Sequence, residues 1–197
     1  MAVPDDYRWA PLQYARPEPR EALEASRAFL GLLSKRRSVR QFSSEVVPYD
    51  LVRNAVATAA TAPWGAPVQP WTFVVVRDGV IRRRVRRALG EVVDAPYLVA
   101  VFSRSSAVEG AGRHRAPEAA PSVGLASGLL VASLHVAGLA TLVITPRSSA
   151  ELGLILDRPE SELPYVVVLV GYPAPEAIVP QQDRRPLEEV MVAIPPP

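Results

Sequence analysis

The sequence predicts an α+β fold: a mixed, mostly antiparallel sheet flanked by helices. Three observations carry this. Four short runs rich in β-branched and aromatic residues, 72–76, 97–102, 139–145 and 165–170, read as strands. Helical patterns fall between them, without the regular strand–helix–strand spacing of a parallel α/β sheet. The 197 residues, 49% of them hydrophobic, are enough for one well-filled domain and short for two.

Residues 1–20 are Pro-rich and mixed in charge, and read as an N-terminal arm ahead of a domain over 21–193 and a proline tail at 194–197. A helix is expected over 21–35, with Leu23, Leu30 and Leu33 in a stripe that passes through the small Ser26. Pro48 suits a first helical turn, and 51–61 is a helix of small residues (Ala55, Ala57, Ala59, Ala60) able to pack closely against a flat neighbour. Pro63 ends it. The strand 72–76 is a continuous apolar run, as buried strands are.

Residues 79–89 read as a helix with Ile81, Val85, Ala88 and Leu89 at apolar spacing. Its five arginines fill the remaining faces with no aromatic between them to stack on bases, so they read as a solvated face and not as a nucleic-acid surface. After strand 97–102 comes a long loop, 103–120. Its Gly110-Ala111-Gly112 lacks the third glycine and the strand-to-helix context of a dinucleotide fingerprint. Residues 122–137 form an apolar helix with Gly124 and Gly128 four apart, a spacing for close packing in the core or across a dimer. A short serine-capped helix is expected over 148–156, and another ending at Val190.

Composition narrows the function. A net charge of +2 and a pI near 9.2 are weakly basic, not the footprint of a dedicated nucleic-acid binder. There is no cysteine, hence no disulfide, thiolate nucleophile or thiolate metal site, which fits a cytoplasmic protein. No uninterrupted apolar run of about 18 residues suggests a membrane span, and the first ten residues lack an apolar signal core. His114 and His135 are the only histidines and lie far apart, so no metal-ligand set is expected. No Ser-His-Asp spacing or paired carboxylates stand out, so hard chemistry would belong to a cofactor.

The richest stretch is Lys35-Arg36-Arg37-Ser38-Val39-Arg40. Three guanidinium forks and a hydroxyl, with no acid among them, suit a phosphate; a basic helix end is the plainer account. Arg184 and Arg185 form a second cluster near the other end of the chain, and between the two lies the turn Pro63-Trp64-Gly65-Ala66. Together these suggest a phosphate anchored by arginines, with a flat ring held over backbone amides near Gly65 and Ala66.

Five segments taken in order, KRRSVRQF, VPYDLVRNAVATAATAPWGAPVQPWTFVVV, GLATLVITP, VGYP and VPQQDRRPLEEVM, resemble the nitroreductase superfamily of FMN enzymes, and most of all its iodotyrosine deiodinase branch, over roughly residues 28–193. The resemblance implies an intertwined homodimer with FMN at the subunit interface, NAD(P)H or another reductase as electron donor, and a small planar aromatic substrate. By position, Arg36, Arg37, Ser38, Arg40 and Arg184 would hold the FMN phosphate and ribityl chain, and Pro63, Trp64, Gly65 and Ala66 would lie along the isoalloxazine. The Ala66 amide would face a substrate phenolate, and Thr145 would hydrogen-bond the reactive flavin nitrogen, a contact associated with one-electron chemistry and dehalogenation.

Two departures from the deiodinase pattern stand out. Trp64 replaces a small serine in the turn. Only residues 78–94 join the first two strands, where deiodinases insert a lid whose Glu, Tyr and Lys grip an amino-acid zwitterion. The loop 103–120, with Arg113, His114 and Arg115, is a candidate substitute. The expected activity is reduction of a planar aromatic, in its most specific form the dehalogenation of a halophenol. The alternatives are a general nitroaromatic or quinone reductase, a biosynthetic dehydrogenase, and a non-catalytic flavin-binding protein.

Overall fold

A computed structural model of the protein describes residues 10–65, 69–104, 119–147 and 149–194. The chain divides into two compact units, the first running through Lys35 and the second starting at Arg36.

The first unit holds α1 (Pro19–Leu33), which starts two residues earlier than the sequence pattern suggests because Pro19 itself opens the helix. Its apolar stripe is present, but no residue of the helix is buried: Leu23, Phe29 and Leu30 are all at least half exposed.

The second unit is built on a sheet of four strands, β1 (Trp71–Val76), β2 (Tyr97–Arg104), β3 (Ala140–Ile144) and β4 (Glu162–Gly171), in the order β1-β2-β4-β3. Among the described residues every strand pair is antiparallel, and the one parallel bridge joins Ser38 and Thr141. β2 is central, and its first six residues are buried on both faces, as the uninterrupted apolar run requires.

Between Val101 and Phe102 the register of β2 on β4 shifts, Val101 facing Val166 and Phe102 facing Pro164. Tyr165 is the extra residue of this bulge. β3 pairs only with Val167–Gly171, so Pro164 sits at a bulge and past the end of β3, where a missing N–H is tolerated.

One face of the sheet is covered by α2 (Tyr49–Ala59) and α4 (Ala119–Val136), which also pack on each other. Val52, Ala55 and Ala59 of α2 are buried, so its small residues do allow the close approach expected of them. Gly124 of α4 lies under Tyr165, where a Cβ would come within 3.0 Å of the phenol oxygen, whereas a Cβ on Gly128 would meet nothing. Only the first of the paired glycines therefore serves packing inside this chain. By length and composition alone α4 could cross a membrane, but polar residues interrupt its apolar run and six of its residues, Leu130 and Leu134 among them, are buried in the core.

The opposite face carries α3 (Gly79–Leu89) and α5 (Ser149–Ile155). α3 falls at the predicted boundaries because both ends are written in the sequence. Asp78 Oδ1 accepts hydrogen bonds from the amides of Val80 and Ile81 at 2.8 and 2.9 Å, and Gly90 closes the helix at φ 66°. The short α6 (Leu187–Val190) ends at the predicted residue and is wholly exposed.

Candidate functional site

The first arginine cluster meets Arg184 of the second, whereas Arg185 does not line the same cleft. Arg36, Arg37, Ser38, Arg40 and Arg184 line one cleft of about 270 Å³, together with Val179, Pro180, Gln182 and Asp183. The local cause is an extended segment anchored on the edge strand. The Val39 amide donates to the Thr141 carbonyl at 3.0 Å and the Val39 side chain is buried, which turns Ser38 and Arg40 outward on either side of it.

The chain beyond β4 is then laced back across this segment. The Ala174 amide donates to the Gln41 carbonyl at 2.9 Å, and the Ile178 amide to Gln41 Oε1 at 2.8 Å. Arg37 donates from Nη2 to the Pro180 carbonyl and, at 3.4 Å, from Nη1 to that of Gln182. Arg184 Nη2 donates to the Arg36 carbonyl at 2.9 Å.

The cleft is smaller than the roughly 300–1,000 Å³ of whole small-molecule sites, so it suits one end of a ligand. Four guanidinium groups and a hydroxyl fit a phosphate, as FMN carries. The sequence reading missed Asp183, a carboxylate lining the same cleft, and the Pro180 and Gln182 carbonyls that hold Arg37.

Pro63, Trp64 and Gly65 do not line this cleft. They form an exposed turn between α2 and β1, closed by a hydrogen bond from Gln69 Nε2 to the Ala60 carbonyl at 3.0 Å. The Trp64 ring meets the buried Trp71 ring edge-on, with centroids 6.0 Å apart and planes at 86°. Ala66, expected to present an amide to substrate, lies outside the described residues, as do Arg113, His114 and Arg115.

Thr145 directly follows β3 and is exposed. The strand registers place the start of β1, the end of β2, the start of β4 and the end of β3 at one end of the sheet, so the Trp64 turn and Thr145 share that end.

A buried carboxylate braces this end. Glu162, 3% exposed, accepts from Thr72 Oγ1 at 2.7 Å, Arg104 Nε at 3.0 Å and Arg158 Nε at 2.8 Å, tying β1, β2 and the segment before β4 together. Burial pushes its pKa up, but the hydrogen bonds from Thr72, Arg158 and Arg104 and the Arg158 charge outweigh that and hold it below the ordinary glutamate value. At the other end of the sheet a cleft of about 480 Å³ contains Arg77, stacked over the Tyr49 and Tyr97 rings, but none of the predicted site residues.

Comparison with known proteins places the fold in a family. Residues 33–107 match the model of the Nitroreductase family. The chain is 38% identical to an iodotyrosine deiodinase of Haliscomenobacter hydrossis over 212 aligned residues, covering 92% of this chain and 96% of the relative. It is 34% identical to iodotyrosine deiodinase 1 of Homo sapiens, covering 93% of this chain and 74% of the relative. Its fold matches that of an oxidized iodotyrosine deiodinase solved with FMN and 3-iodo-L-tyrosine, with a TM-score of 0.70 at 26% identity, over 85% of this chain and 99% of that one. The arginine segment, the sheet with its two helical layers and the extent of these matches lead to one conclusion: the chain belongs to the nitroreductase family.

Proposed function

We propose that the protein is an FMN-dependent oxidoreductase that removes halogen reductively from a phenolic aromatic. The observation that carries this is the convergence of Arg36, Arg37, Ser38, Arg40 and Arg184, from opposite ends of the chain, on one cleft whose donors suit a phosphate. The similarity to iodotyrosine deiodinases over nearly the whole chain supports it.

When bound, FMN supplies two electrons delivered to it by NAD(P)H or a separate reductase. The reaction replaces a carbon–halogen bond with a carbon–hydrogen bond, consuming two electrons and a proton and releasing halide. In this reading the arginine cleft fixes the phosphate, Pro63, Trp64 and Gly65 lie along the isoalloxazine, and the Thr145 hydroxyl serves the reactive nitrogen. The Ala66 amide holds the substrate phenolate, an oxyanion contact that needs no acidic side chain.

The active form in this reading is a homodimer. Its support is the apolar surface left open on single chains: Leu23, Phe29 and Leu30 on α1, and Leu125 and Val136 on α4, are each at least half exposed. A cytoplasmic location belongs to the same reading and is supported by the cysteine-free sequence.

The test begins with the visible spectrum of the purified protein and identification of the chromophore released by heat. About one FMN per chain, followed by stoichiometric halide release from 2-iodophenol under anaerobic reduction, is the expected result. A colourless protein that fails to take up added FMN overturns the proposal. Flavin that reduces but passes electrons only to nitroaromatics or quinones would give way to the general reductase reading, which the family match also favours.

A further inference from the structure

Arg77 directly follows β1 and lines the cleft of about 480 Å³ at the far end of the sheet from the Trp64 turn and Thr145. That volume is within the range of whole small-molecule sites. The guanidinium carbon lies 5.0 Å from the centroid of the Tyr49 ring and 5.8 Å from that of Tyr97. Tyr97 is buried, and its hydroxyl donates to the Val47 carbonyl at 3.2 Å, so the ring that orients the fork is itself fixed.

Among the described residues the Arg77 guanidinium makes these ring contacts and no hydrogen bond or ion pair. Its neighbours differ. Arg82 donates to the carbonyls of Arg77 and Ala95 and pairs with Asp94 at 3.0 Å. Arg86 donates to the Val92 carbonyl at 3.1 Å and reaches Asp94 at 3.6 Å. Asp94 also lines the cleft, but two arginines already share its charge. Glu45, the other lining carboxylate, is exposed and does not pair with Arg77.

The walls of the cleft are pinned. The segment 42–47 is tied at one end by the Ser43 amide, which donates to the Tyr172 carbonyl at 2.9 Å, and at the other by the Tyr97 hydroxyl on Val47. Between them the Glu45 amide donates to Ser43 Oγ at 3.0 Å. Phe42 and Pro96 pack directly on Gly171, where a Cβ would come within 3.1 Å of Phe42 and 2.6 Å of Pro96. A cleft already shaped, with its cation already oriented, has little ordering left to undergo when a ligand enters.

We propose that this cleft is a second binding site, separate from the arginine cleft, for a small organic anion. A carboxylate or phosphate monoester takes the donors of the Arg77 fork, the Ser44 hydroxyl adds a further donor, and an apolar body lies against Phe42, Val46 and Pro96. The plainer account of Arg77 is a strut between the start of α2 and the end of β1. A strut needs only the two rings and predicts no affinity for anions.

The purified full-length protein, with and without added FMN, is titrated with benzoate, phenyl phosphate and the neutral benzamide, and backbone amide resonances are followed by NMR. At least one of the two anions is expected to shift the amides of 43–47, Ala95 and Tyr97 whether or not FMN is present. The tighter of the two identifies the ligand as carboxylate or phosphate. Benzamide is expected to bind at least about tenfold more weakly than that anion. Arg77→Gln is expected to lose at least about tenfold in affinity for it, and Arg77→Lys, which keeps the charge without the fork, to fall between the two. Glu45→Gln leaves Arg77 and its rings in place and is expected to tighten anion binding about twofold to threefold at low salt, which keeps the test decisive where Arg77→Gln fails to fold.

The site is overturned by anion shifts confined to residues 36–40 and 179–184, by benzamide binding as tightly as the anions, or by affinity unchanged in a folded Arg77→Gln variant. It is also overturned if Glu45→Gln binds the anion no more tightly than the wild type. None of these outcomes bears on FMN uptake or halide release, so the flavin reading stands or falls separately.

Discussion

The Arg184 guanidinium donates a hydrogen bond to the backbone carbonyl of Arg36 at 2.9 Å, across 148 positions of sequence. Arg37 answers in the opposite direction, donating to the carbonyls of Pro180 and Gln182. The wall of the arginine cleft is therefore stitched from both sides, and each arginine has a structural bond as well as a charge to offer.

Loss of either arginine is expected to weaken FMN retention. Each substitution, Arg37→Ala or Arg184→Ala, removes a charge-assisted contact of about 1.5–3 kcal/mol, or roughly tenfold to a hundredfold in affinity. Flavin fluorescence titration of the apoprotein measures it. Arg184→Lys keeps the charge and loses the fork, so it should fall between the wild type and the alanine variant. Unchanged affinity in both alanine variants would exclude this cleft as the phosphate site.

Asp183 allows the opposite prediction. Its carboxylate lines the cleft that the arginines make attractive to an anion, so Asp183→Asn should tighten FMN binding. The side chain is exposed, which limits the gain to about threefold at low salt, and the gain should shrink as salt is added. Weaker binding in this variant would mean that Asp183 orients an arginine and does not oppose the ligand.

The contrast between Ser38 and Pro180 shows where the sequence is legible. A cluster of side chains with one chemistry, Arg36 to Arg40, can be read because its donors are written in residue types, and Val39 among them carries the alternation that turns Ser38 and Arg40 outward. The acceptors that hold Arg37 are backbone carbonyls, which every residue has, so nothing marks Pro180 or Gln182 in advance.

The elements divide in the same way. α3 is bounded by the side chain of Asp78 and the left-handed Gly90, both local signals. The start of β4 is hidden, because Glu162 and Pro164 do not look like strand residues. They become so only through Arg104, Arg158 and a bulge opposite β2, all supplied by the folded chain. The apolar stripe of α1 is correctly helical, yet no residue of the helix is buried, since periodicity specifies a face and not what covers it.

Thr145 follows the last residue of β3 and is exposed at the same sheet end as Trp64. If its hydroxyl serves the reactive flavin nitrogen, Thr145→Ala should leave FMN affinity within about threefold while changing the ratio of dehalogenation to nitroaromatic reduction at least about tenfold, because one neutral hydrogen bond contributes little to overall binding. Thr145→Ser, which keeps the hydroxyl, should retain the wild-type ratio. Equal product ratios in all three proteins would reduce Thr145 to a strand-end residue.

Glu162 gives the pH dependence. Its carboxylate is held below the ordinary glutamate value in the folded protein, since the hydrogen bonds and charge of Thr72, Arg158 and Arg104 outweigh the cost of burial. A depressed folded pKa means that the unfolded chain takes up the proton first as pH falls. The stabilisation is thus fully present above the unfolded value near 4.3 and is lost as pH drops through the folded one. Glu162→Gln removes the charge and leaves Arg104 and Arg158 facing a neutral amide, at a cost of about 3 kcal/mol at pH 7 by analogy with other broken buried pairs. For a domain of this size that corresponds to a fall in Tm of roughly 6–12 °C. Thermal unfolding of both proteins between pH 7 and pH 3 should show the gap narrowing below about pH 4, where the wild type loses what the variant never had. A gap of constant width down to pH 3 would mean that Glu162 contributes through packing and hydrogen-bond geometry, and that its ionisation is irrelevant to stability.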